Sequence, residues 1–88
     1  MSDVGAITYG HVAGVTLSNS AKDPNGPFDA LESVTGSGYA AIVMPDGSSA
    51  TIYLVQGVIK AVQCARVNVT NTTVGTIVGY VGASGSTV

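Results

Sequence analysis

Apolar and polar positions alternate along this chain in short bursts. Between Ser49 and Val55, Ile52 and Leu54 fall on one face and Tyr53 and Val55 on the other. Between His11 and Leu17, Val15 and Leu17 share a side opposite Thr16. A period of two is the signature of a strand, because successive side chains leave a pleated backbone on opposite faces. No segment carries a sustained apolar stripe at helical spacing. Val, Ile and Thr supply 14, 5 and 9 residues, and branching at Cβ costs rotamer freedom in a helix but packs well on a sheet.

Turn formers separate the bursts. Ala6–Tyr9 is an edge-strand candidate and His11–Leu17 the first clear strand. Ser18–Asp29 is the one long loop and holds Asp23-Pro24-Asn25-Gly26-Pro27, a dense set of turn residues. Ala30–Thr35 follows, then the turn Gly36-Ser37-Gly38. Tyr39–Met44 and Ser49–Val55 flank Pro45-Asp46-Gly47, a hairpin signal because Gly accepts positive φ. After Gln56-Gly57, the run Val58–Val69 loses its alternation near Gln63, as a bulge or a switch between sheets would require. Thr73–Val81 is the last strand, and Gly57–Val81 reads as two paired strands about the turn Thr70-Asn71-Thr72. The expected fold is all-β: a small β-sandwich or barrel of six to seven short, mainly antiparallel strands. Residues 1–10 form an N-terminal arm, 11–82 the sandwich domain and 83–88 a polar C-terminal tail.

Composition adds a need for neighbours. A domain of 88 residues buries only roughly 60–65% of its unfolded surface, so its core is marginal. Small domains offset this with disulfides, metals or oligomerisation. Cys64 is the only cysteine, which excludes an internal disulfide, and it shares the chain with a single histidine, His11, too few ligands for a closed zinc site. Oligomerisation is what remains. Only 9% of residues are charged, against about 25% in an ordinary domain, and interface cores are depleted in charge in the same way.

Candidate chemistry is sparse. The net charge is −2, with Lys22, Lys60 and Arg66 scattered, so no cation cluster is available to neutralise nucleic-acid phosphates. Met1–Gly10 shows neither a basic start nor a long apolar stretch, and no signal peptide is expected. No apolar run reaches the ~20 residues of a membrane-spanning helix. Asp23-Pro24-Asn25-Gly26 lacks the Glu at the twelfth position of a calcium loop; Val34 stands there. Cys64 sits in an apolar strand and reads as a small buried hydrophobe, with nothing to bring His11 to it. Neither a nucleophile elbow nor a dinucleotide fingerprint occurs. Asn68-Val69-Thr70 and Asn71-Thr72-Thr73 match the glycosylation acceptor pattern but read as turn residues. No catalytic residue, cofactor or metal is expected. Gly75 and Gly79 share a strand face with Ile77 and Val81, a pattern that marks close approach by a facing sheet or a neighbouring subunit. Lys60 and Arg66 share a face if no bulge intervenes, within reach of Glu32, Asp29 or a neighbour's acid. Gly75, Gly79, Tyr80, Lys60 and Arg66 are thus the expected interface.

From about Phe28 to Val81 the chain resembles the short head-spike base and capsid decoration proteins of tailed phages and gene transfer agents. The resemblance rests on Ala41–Met44, the Asp46-Gly47 turn and Val55-Gln56-Gly57. It continues through Arg66-Val67-Asn68-Val69-Thr70, Thr72-Thr73 and Ile77-Val78-Gly79-Tyr80, in the same order and spacing. It implies a β-sandwich-like virion protein on the capsid surface, a homo-oligomer (trimer or pentamer) whose partners are the major capsid protein and a fibre protein, with no nucleic acid or membrane. Two alternatives are a small tail or neck protein and a ligand- or glycan-binding β-module lined by Tyr80, Tyr53 and Asp46.

Overall fold

The computed structural model of the chain describes residues 7–82, 84 and 85. Among the described residues nine strands follow one another: β1 (Ile7–Thr8), β2 (His11–Gly14), β3 (Phe28–Ser33), β4 (Gly38–Val43), β5 (Ser49–Leu54), β6 (Lys60–Cys64), β7 (Arg66–Val67), β8 (Ile77–Val81) and β9 (Ser84–Gly85). Seven of them build two antiparallel sheets, ordered β2-β8-β3-β6 and β5-β4-β7. One hydrophobic cluster joins the two: Phe28, Leu31 and Ile77 from the first sheet meet Ile42, Leu54 and Val67 from the second. The chain is therefore a small all-β sandwich. Phe28, Leu31, Ile42 and Leu54 are fully buried, each contributing roughly 1.5–3 kcal/mol by leaving water.

Within that frame, β4 and β5 form a hairpin of six uninterrupted pairs, Gly38↔Leu54 to Val43↔Ser49. Its turn contains the expected Asp46-Gly47, and Gly47 takes φ 92°. The β3–β6 pairing is less regular: β6 advances three residues, from Cys64 to Ala61, where β3 advances two, from Phe28 to Ala30. Phe28 and Leu31 both reach the core although they stand three apart. Regular alternation would send them to opposite faces; an irregularity between them resolves the conflict.

The irregularity expected near Gln63 is also present. Cys64 pairs with Phe28 in one sheet, whereas Arg66 pairs with Val43 in the other. Ala65 is the crossing point, where its N–H donates to the Val43 carbonyl at 2.7 Å. Two further expectations are corrected. The runs flanking Thr70-Asn71-Thr72 do not pair with each other: β8 lies between β2 and β3, and β6 lies on the far side of β3. The strand expected over Thr73–Val81 begins at Ile77. The residues before it cover the edge of β4, where Thr73 N–H donates to the Tyr39 carbonyl at 2.8 Å. There the hydroxyls of Thr72 and Thr73 accept the N–H groups of Ala41 and Tyr39 at 3.0 and 2.9 Å. Threonine side chains thus stand in for missing ladder partners.

One flank of the sandwich is closed by the chain crossing between sheets. Val15 N–H continues the β2–β8 ladder by donating to the Ile77 carbonyl, and three residues later Ser18 N–H donates to the Val67 carbonyl of β7. Asn19 then holds the turn at 69–71, its Oδ1 accepting the N–H groups of Val69 and Thr70 at 2.9 and 3.1 Å. The long loop is fixed by Asp23, which is buried. Its two carboxylate oxygens accept the N–H groups of Thr16 (2.8 Å) and Asn25 (2.9 Å). The Asp-Pro-Asn-Gly signal is a structural turn in which Gly26 N–H returns to the Asp23 carbonyl.

The arm and tail also interact: Ile7–Thr8, inside the expected edge strand, pairs with Ser84–Gly85. The remaining parts of arm and tail, residues 1–6, 83 and 86–88, lie outside the described residues.

Candidate interaction surface

Among the described residues no group of three or more His, Cys, Asp and Glu side chains is arranged to hold a metal ion, and no helix is long and apolar enough to cross a membrane. His11 is exposed on β2 and Cys64 is fully buried on β6, at opposite edges of the four-stranded sheet. The two do not form a nucleophile–base pair. Burial pushes the Cys64 thiol up to about 11, which leaves it protonated and inert at neutral pH. The thiol donates to the Arg66 carbonyl at 3.2 Å.

That thiol has a measurable signature. A folded-state pKa above the unfolded value means that the native state holds its proton more tightly. The associated stability is complete below pH 9 and is lost as pH rises toward 11, by about 2–3 kcal/mol for a shift of this size. Urea titrations between pH 8 and 11 should show this decline in the parent protein. The Cys64→Ala variant should show a correspondingly shallower one; parallel curves would mean that the thiol titrates normally.

The five residues expected at an interface are not brought together. Lys60 is exposed at the start of β6, whereas Arg66 is half-buried in the other sheet, with its Nε donating to Asn68 Oδ1 at 3.0 Å. The shared face required a regular strand, and the register shift and the crossing at Ala65 remove it. Glu32 accepts the hydroxyl of Tyr80, and this bond raises the Tyr80 pKa. Tyr80 is half-buried and its ring lies 5.1 Å from that of Tyr9. Gly79 is buried, and a Cβ there would enter the ring of Phe28. The close approach marked by Gly79 is therefore made by the chain's own core. Gly75 abuts Thr35, whose Oγ1 accepts the N–H of Thr76 at 2.8 Å. Nor do Tyr80, Tyr53 and Asp46 form a common ligand site. Tyr80 and Tyr53 belong to different sheets, and Asp46 lies in the β4–β5 turn beyond the Val43–Ser49 end.

The structure gathers a different set. Tyr39 and Tyr53 face each other across β4 and β5 with ring centroids 5.1 Å apart and edge-on. Both are about half exposed, at 53% and 47%. Just beyond, the link from β5 to β6 makes a turn in which Val58 N–H donates to the Val55 carbonyl. The link is tied to the end of β3 by Gly57 N–H donating to Ser33. Val55, Val58 and Ile59 on this link are all exposed. The signal for Tyr53 and Val55 was present in the sequence. A strand with apolar residues on both faces, as in Ser49–Val55, must leave one face uncovered when the other builds the core.

No family model, curated protein or solved structure matches this chain.

Proposed function

We propose that the protein is a non-enzymatic structural component of a tailed-phage virion, a decoration or spike-base protein on the capsid surface. The observation that carries this reading is an exterior poor in charge and rich in exposed apolar residues. It supports a protein that works by contact with other subunits. Its mechanism is mechanical: apolar strand faces hold the sandwich, exposed aromatic and aliphatic side chains meet neighbouring copies, and a loop such as Ser18–Asp29 seats on the shell. The resemblance over Phe28–Val81 supplies the virion setting. Its motifs coincide with working parts of the fold: Asp46-Gly47 turns the β4–β5 hairpin, and Thr72-Thr73 secures the edge of β4.

Mass spectrometry of purified particles from a phage encoding this chain is expected to detect it in many copies, with antibody labelling on the outside of the head. A tail or neck protein would appear in few copies and label elsewhere. Absence from washed particles would overturn the virion role.

A further inference from the structure

Among the described residues, nothing pairs with the outer edge of β5, because the three-stranded sheet ends there. β6 ends the four-stranded sheet, and the short link Val55–Ile59 joins it to β5. The Val15–Ser18 crossing instead ties the β2–β8 ladder to β7, at the other end of the three-stranded sheet. The edges differ in their suitability for pairing. β6 carries the register shift and Lys60, both of which discourage strand addition. β5 reads Ser-Ala-Thr-Ile-Tyr-Leu, without charge, proline or bulge, and is held straight by six regular pairs with β4. Ala50 and Ile52 point toward the core but remain only half-buried at this open edge.

We propose that β5 pairs antiparallel with β5 of a second copy of this chain, about a twofold axis, joining the two three-stranded sheets into one of six strands. Charge placement argues for a second copy in this orientation. Asp46 lies in the turn just before β5, and Lys60 follows the link just after it. Antiparallel pairing carries the Lys60 end of each copy toward the Asp46 end of the other, so the symmetry makes two complementary contacts. The Ser48 hydroxyl and backbone N–H hold the Asp46 carboxyl below its usual range, so it is ionised at neutral pH. The contact itself is backbone pairing along β5. It does not depend on the virion reading, and it replaces a threefold or fivefold ring as the primary self-contact.

Light scattering on the full-length protein should give twice the chain mass of 8.7 kDa. Asp46→Lys and Lys60→Glu should each weaken the dimer about tenfold, and the double reversal should restore it. Thr51→Lys, with circular dichroism to confirm folding, should give a monomer, because a lysine on an edge strand blocks its pairing with another chain. A parent protein that stays monomeric, forms an odd-numbered oligomer, or forms a dimer insensitive to the single reversals would overturn the proposal.

Discussion

Gly79→Val is expected to unfold the protein or leave it barely stable, with a loss of about 4 kcal/mol or more. A side chain at this position would enter the ring of Phe28, which has no exposed surface to move toward without leaving the core. Overpacking alone costs about 1–3 kcal/mol, and displacing a buried Phe about 3–5 kcal/mol. A domain of this kind has only about 5–15 kcal/mol in total. The damage therefore falls on the subunit itself, before any assembly. Urea denaturation of Gly79→Ala, Phe28→Leu and the double variant separates the effects. The double variant should be more stable than the sum of the single losses, with a coupling of about 1 kcal/mol or more. Additive losses would show that Phe28 does not lie over Gly79.

Asp23→Ala should cost roughly 2–4 kcal/mol, because it strips the acceptor from two backbone N–H groups around a buried site. Asp23→Asn is the sharper variant. It preserves shape, yet an amide has one acceptor oxygen and one donor nitrogen, whereas this site presents two donors. Loss of more than about 1 kcal/mol in Asp23→Asn, measured by urea denaturation, would support the two-donor site. Wild-type stability in both variants would show that the loop is held by other contacts. Weakened loop fixation should also appear as faster amide exchange at Thr16 and Asn25, since both lose their acceptor.

Both predictions concern residues whose types were legible and whose partners were not. Gly79 stood out as a glycine in a β-branched strand, and Asp23 as the first residue of a turn cluster. Phe28 lies 51 positions from Gly79, and no local pattern links them. Lys60 and Arg66 failed as a pair for a related reason. Parity assigns faces only within an unbroken strand, and the chain changes sheet at Ala65. The interaction surface was half legible: Tyr53 and Val55 were placed opposite Ile52 and Leu54, but which face would be core depended on the other sheet.

The sequence by itself determined the strand content, the turns at Asp23–Pro27 and Asp46-Gly47, and the marginal core of a charge-poor chain. These follow from local terms: β-branching, alternation, and glycine or proline dihedral preferences. Tertiary structure alone decided that β8 lies between β2 and β3, that Phe28 fills the space above Gly79, and that the Val15–Ser18 crossing reaches β7 while the described residues leave the outer edge of β5 unpaired. A strand's side chains specify which face is buried. Its backbone hydrogen-bonding groups are alike in every strand, so the choice of neighbour is settled by how the assembled faces close the core.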